Sequence, residues 1–168
     1  QRGTTLDLGH GARLQVLHPG DTPLAGTRSD SNNNGLAMRL TWGKASFLFM
    51  GDLEAEAEAA LLRQPDLPLA STVLKVAHHG AANGTTLRFL EAVHPQVAVI
   101  SAGAGNRYGH PAPEVLQRLE QVGARVWRTD ECGDVEIVTD GERLWVRTGR
   151  WRPGCSAPAP SKASHIAN

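Results

Sequence analysis

Val73-Leu74-Lys75-Val76-Ala77-His78-His79-Gly80 is a largely apolar run that ends abruptly in metal-binding chemistry, and upstream Phe47-Leu48-Phe49-Met50-Gly51-Asp52 does the same. A near-continuous apolar stretch of this length is what a strand buried on both faces requires. In open α/β folds, ligands gather beyond the carboxyl ends of such strands. A carboxylate from Asp52 and an imidazole from His79 or His78, brought together there, suit Zn²⁺ or Mn²⁺. The two runs therefore predict an α/β fold whose site lies at the strand ends.

Working outward, strands and helices alternate. Arg13 to Leu17 reads as a strand ending at His18-Pro19-Gly20, and a loop rich in Gly, Ser, Asp and Asn follows from Asp21 to Asn34. Leu36 to Trp42 and Ser46 to Met50 form a hairpin around Gly43-Lys44. Leu53 to Arg63 has helical composition, with Glu54, Glu56 and Glu58 early, where the helix dipole favours them. A second helix is expected over Thr85 to Val93 and a third over Pro113 to Val122, stopped by Gly123. Val97 to Ser101 is a further strand, and Val126 to Arg128, Asp134 to Thr139 and Arg143 to Arg147 close the domain. The predicted organisation is one layered α/β domain over 1–150 and a Pro/Ser/Ala tail over 151–168 with no apolar period, expected to be disordered.

Composition narrows the function classes. The 168 residues are 40% apolar, enough for a substantial core. Seventeen basic and seventeen acidic residues cancel, so no general field draws in nucleic acid or membrane, and polyanion binding would need a local site. No apolar run approaches the ~20 residues that cross a bilayer. The opening Gln1-Arg2-Gly3-Thr4 reads as part of a longer protein rather than as a signal peptide. Cys132 and Cys155 lack CxxC spacing and are read as neither a zinc knuckle nor a disulfide framework.

The motifs together resemble the second half of a metallo-β-lactamase-fold domain, the C-terminal domain of ComEC-type DNA-uptake (competence) proteins. The matching residues are Val16-Leu17-His18-Pro19, Asn32-Asn33-Asn34, Phe47 through Asp52 and Leu74 through Gly80. They continue with Pro95, Ile100-Ser101, Asn106-Arg107-Tyr108-Gly109-His110-Pro111 and Arg128-Thr129-Asp130 before Gly133, all in the family's order. The resemblance implies a partial αββα sandwich, two divalent ions (Zn or Mn) in the intact domain, and a nuclease acting on DNA. It also implies attachment to a polytopic membrane channel in the parent protein, with the domain on the extracytoplasmic side. Three departures count against a full site. The His-x-His-x-Asp-His cluster of the fold's first half is absent, since only His10 and His18 precede Asp52; and Gly35 and Ala81 stand where the family has serines. An upstream half is therefore an implied partner, and the chain alone is expected to hold an incomplete metal site.

Each candidate has a plainer reading. Asp52 can be an N-cap of the following helix instead of a bridging metal ligand. His79 can be a loop histidine; as a site residue it is a metal ligand or catalytic acid/base, with His78 a further candidate ligand, and only one of the two can reach a metal unless Gly80 permits a sharp turn. His110 is a catalytic acid/base or a loop-orienting residue. Ser101, Asn106 and Asn33 are candidate phosphate contacts, although asparagines also serve as turn formers. Lys75 and Arg107 can meet phosphates locally. His18 is read as structural, His10 and His94 as surface residues. The rival to a hydrolase is a non-catalytic module of a DNA-uptake protein, and a third reading is a metallo-hydrolase of another substrate.

Overall fold

A computed structural model of the chain describes residues 1–149, Cys155 and 164–166. Strands β1 (Thr5–Gly9) and β2 (Ala12–His18) pair antiparallel, and after the single-turn helix α1 (Asp30–Asn33) the hairpin β3 (Ala37–Trp42) and β4 (Ala45–Phe49) continues the sheet. Helix α2 (Ala55–Leu62) crosses over to β5 (Val73–Lys75), α3 (Leu87–Val93) to β6 (Val97–Ile100), and α4 (Pro113–Gln121) to β7 (Arg125–Arg128), these strands adding in parallel. The result is a seven-stranded mixed sheet in simple chain order. The turn α5 (Thr129–Cys132) leads to a second, antiparallel sheet in which β9 (Leu144–Thr148) lies between β8 (Val135–Thr139) and β10 (Ser164–Ile166).

Strand alternation explains both cores. Leu48, Leu74 and Ala98 stand in register and point one way, under Leu61 of α2, Phe89, Leu90 and Val93 of α3, and Val115 and Leu119 of α4. Their neighbours Phe47, Val73 and Val97 point the other way, against Trp127, Leu144 and Val146 and so toward the second sheet. Fully burying one such leucine is worth about 1.5–3 kcal/mol, which is why a one-residue slip in register would be so costly. The second sheet does not cover the whole face. An apolar trough of about 640 Å³ remains, lined by Leu8, Leu40, Trp42, Phe47 and Phe49 among others, with Lys75 and Ser101 also in its wall. No helix among the described residues is long and apolar enough to cross a membrane.

The cysteine reading is corrected: Cys132 and Cys155 form a disulfide, their Cα atoms 5.4 Å apart, both buried in the second core. Spacing rules seek local motifs, and this bridge joins residues 23 apart whose approach depends on the two-sheet packing. The tail expected over 151–168 lies outside the described residues, apart from Cys155 and Ser164–Ile166. Two helix starts also shift. Helix α3 begins at Leu87 because Thr85 sits at φ 54 and Thr86 is the N-cap. Helix α2 begins at Ala55 because Glu54 is extended.

Candidate functional site

Asp52 follows β4 in a tight turn made possible by Gly51 at φ +52. Its side chain is half exposed and it does not cap α2. That task falls to Asn33, fully buried, whose Oδ1 accepts from the backbone N–H of Glu54 (3.1 Å) and Ala57 (3.2 Å). Asn33 Nδ2 donates to Glu56 and its carbonyl takes the His18 Nε2 hydrogen at 2.8 Å, so the amide is spent on joining α1 to α2. His18 is correspondingly buried, and burial holds its imidazole below the ordinary value. His10 and His94 are exposed.

The chain leaves β5 through Ala77–Gly80, where His78 (φ 45, ψ 46) and His79 (φ 55, ψ 19) are both left-handed. Two consecutive left-handed residues other than glycine are costly, on the order of 1–3 kcal/mol each, so the surrounding contacts must hold them. The His78 N–H donates to the Gly51 carbonyl (2.9 Å), joining this turn to the Asp52 turn. Gly80 is required at its position: a Cβ there would lie 2.7 Å from Pro111 Cβ, and φ is +81. That close approach brings the His110 loop onto the histidine turn, with the His78 and His110 ring centroids 6.0 Å apart.

The turn sends the two histidines to different partners. His79 Nδ1 lies 2.7 Å from the Ser101 carbonyl, which can only accept, so Nδ1 carries the hydrogen and Nε2 of the neutral ring is left with its lone pair. That Nε2 faces Asp52 Oδ1 at 3.9 Å, too long for a hydrogen bond. A backbone carbonyl that takes the hydrogen of one ring nitrogen and leaves the other with its lone pair is the usual outer-sphere arrangement behind a metal-ligating imidazole. His78 Nδ1 instead faces Glu54 Oε1 at 3.7 Å; Glu54 is almost wholly buried and accepts from Asn32 Nδ2 at 2.9 Å.

The third contribution is the loop from Ser101 to Pro111. The Asn106 side chain organises much of it, Nδ2 donating to the carbonyls of Gly103 (2.9 Å) and His110 (2.6 Å), Oδ1 accepting from the N–H of Tyr108 (3.2 Å) and His110 (3.0 Å). Its amide therefore sets the position of His110. Thr129 clamps the start of the loop by exchanging hydrogen bonds with both backbone groups of Ala102. His79, Ser101, Asn106, Tyr108 and His110 line a cavity of about 390 Å³. On the far side of Tyr108 and His110, Arg28, His78 and Asn83 line one of about 510 Å³. Burial first, then repulsion from His78 and His79, holds the His110 imidazole below its ordinary value. Lys75 is likewise lowered by burial and partly restored by Asp52.

Glu54 Oε2, His78 Nδ1 and His110 Nδ1 are buried without a hydrogen-bond partner. Asn83 Oδ1, in the wall of the neighbouring cavity, and His18 Nδ1 and Trp127 Nε1 elsewhere are in the same state, so three of six such atoms among the described residues gather where the loops meet. Asp52, His79, His78 and His110 fit one side of a divalent cation's shell by donor type. Among the described residues, no group of three or more His, Cys, Asp or Glu is arranged to hold a metal.

Sequence reasoning missed Glu54, which backs His78, and the clamp behind the histidine turn. Buried Glu58 accepts from the N–H groups of Thr85 and Thr86 and from the Thr86 hydroxyl (2.7 Å), while Arg118 donates to the carbonyls of Gly84 (2.8 Å), Thr85 (3.0 Å) and Ala82 (3.3 Å). Burial pushes the Glu58 carboxyl up, against the pull of these hydrogen bonds and of Arg118. An early glutamate in a helix reads as dipole complementation, and only its burial would have revealed the clamp.

No family model matches the chain. It is 38% identical over 116 residues to ComE operon protein 3 of Bacillus subtilis, covering 68% of this chain and 15% of that protein. Competence protein ComA of Neisseria gonorrhoeae is 36% identical over 108 residues, 64% of this chain and 16% of that protein. Recombination protein 2 of Haemophilus influenzae is 32% identical over 140 residues, 83% of this chain and 17% of that protein. The chain is thus related to bacterial competence proteins and spans about a sixth of the length of these relatives.

Proposed function

We propose that the chain is the second half of a metallo-β-lactamase-like domain in a DNA-uptake protein, and that this domain is a metal-dependent nuclease. One observation carries the reading. Three strand-end loops converge so that His79, its tautomer set by the Ser101 carbonyl, presents Nε2 to Asp52, with His78 and His110 beside them and unpartnered buried nitrogens and a carboxylate oxygen around the cleft. The kinship with competence proteins supports DNA as the substrate and a polytopic membrane channel as the neighbour in the parent chain. The missing ligands would come from the upstream half, whose sheet would cover the apolar trough.

Asp52, His79 and one of His78 or His110 would hold the ions, Zn²⁺ or Mn²⁺. Bound there, a pair of divalent cations supplies an activated water and charge neutralisation at the leaving oxygen. The chain's own residues do the rest. The Ser101 carbonyl fixes His79, and Asn106 fixes His110, whose imidazole, held below its ordinary value by burial, can serve as a base. Lys75, beside Asp52 and Ser101, offers a cation to a phosphate. The disulfide supports an oxidising, extracytoplasmic setting, since such bonds persist there and are rare in the cytosol.

The absence of a three-donor group among the described residues favours one second reading, a non-catalytic module of the uptake machinery. Cleavage of labelled DNA by the full-length protein with Mn²⁺ or Zn²⁺, against a chelator control, separates the two. Asp52→Ala should abolish cleavage and His79→Ala should lower it at least a hundredfold, an effect of several kcal/mol at a charge-neutralising site (about 1.4 kcal/mol per tenfold). Parental rates in the Asp52 variant would leave the module reading standing.

A further inference from the structure

Tyr108 is placed where no folding role accounts for it. It is 65% exposed, the most exposed large apolar residue among the described residues, although it stands in the middle of the candidate site. The loop does not need the ring: Asn106 supplies four hydrogen bonds to the backbone around it. The ring is stacked on His110, centroids 5.8 Å apart and planes 19° from parallel. The Arg107 guanidinium lies 5.0 Å over the ring and donates to the phenol oxygen at 2.8 Å. Tyr108 and His110 are also the two residues common to the walls of both cavities, so the stack stands between the pocket of His79 and that of His78 and Arg28. Each cavity, at about 390 and 510 Å³, has the size of a small-molecule site.

On the nuclease reading above, we infer that Tyr108 and Arg107 form a nucleobase platform that selects single-stranded DNA. A base displaces the Arg107 guanidinium from over the ring and stacks there, opposite His110; the released guanidinium meets the adjoining phosphate, and the strand runs from one cavity to the other with its phosphodiester at His79 and His110. Duplex bases have both faces covered by their neighbours, so only an unstacked strand can use the platform.

The test uses the full-length protein with three substrates: a labelled single strand, its duplex, and the same strand with abasic tetrahydrofuran residues beside the cleaved bond. Tyr108→Ala should raise KM for the single strand about tenfold, as loss of one base–aromatic stack does, with a much smaller change in kcat. Tyr108→Phe and Tyr108→Trp should retain the parental KM, and the abasic strand should respond to none of the three. Arg107→Ala should lower the slope of log affinity against log salt by about 0.7. An equal loss on abasic and base-bearing strands, or a phenylalanine variant as impaired as the alanine one, would overturn the platform. If the parental protein cuts no DNA, it is the nuclease reading that falls; fluorescence anisotropy with the single strand still decides the platform, and equal affinity of parental and Tyr108→Ala proteins would refute it.

Discussion

Replacing Asn33 by leucine should cost the fold several kcal/mol, because the last side chain of α1 caps a helix that starts 22 residues further on. Leucine keeps the branched shape but its methyl groups are bulkier than the amide, so at this fully buried site some overpacking adds to the polar loss. Two backbone N–H groups, of Glu54 and Ala57, lose their acceptor inside the protein, where neither can turn to water. A buried donor left unsatisfied costs about 1–3 kcal/mol, and a lost cap about 1 kcal/mol by itself, so about 2–5 kcal/mol is expected for the pair. For a chain of this size that lowers the melting temperature by roughly 5–15 °C. Urea unfolding followed by tryptophan fluorescence reads this directly, since Trp127 is buried in the second core. Asn33→Asp keeps an acceptor for both N–H groups while losing the donor to Glu56, and should sit between leucine and the parental residue. A leucine variant within about 0.5 kcal/mol of the parental protein, the range of ordinary surface substitutions, would show that the amide does not cap α2.

Four further outcomes follow from the same contacts. Reduction, or Cys155→Ser, should lower stability by about 3 kcal/mol, the loop-entropy value for the 23-residue separation, measured as a shift in urea midpoint. Because burial raises the folded pKa of Glu58 above the 4.5 of a free glutamate, its contribution is complete below that pH and is lost as pH rises through the folded value. The melting-temperature difference between the parental protein and Glu58→Gln should therefore shrink from acid to neutral pH; a difference growing over that range would reverse the sign and refute the burial effect. Calorimetric titration of the isolated chain with Zn²⁺ should give no submicromolar stoichiometric site, because structural sites want about four protein ligands. The apolar trough should make the isolated chain self-associate at high concentration, visible by sedimentation, and Trp42→Lys should reduce it.

What could be read from the sequence divides by the range of the contacts involved. The helix over Pro113–Gln121 was visible because its proline start, apolar period and following Gly123 are all local signals. The β3–β4 hairpin and the strands ending at Asp52 and at the histidine turn were visible for the same reason, through runs of apolar residues cut off by glycine. The start of α2 was misjudged by two residues because its cap comes from Asn33 at the end of α1, and the disulfide was missed because its partners meet only after the second sheet has folded onto the first. The site divides in the same way. Strand-end placement drew attention to Asp52, His79 and His110. Which nitrogen of His79 faces Asp52, however, depends on the carbonyl of Ser101, 22 residues away. The buried partner of His78 is Glu54, whose carboxylate is held by Asn32 from 22 residues upstream. Strand alternation implied that adjacent histidines must diverge, and they do, but the divergence comes from two left-handed residues rather than from an extended chain. The Gly80–Pro111 approach and the Glu58–Arg118 clamp hold that turn, so the identity of the chemical groups is local while their aim is tertiary. Substitutions at Glu58 or Gly80 should therefore disturb the site as strongly as many substitutions within it, although neither residue carries a group that faces the cleft.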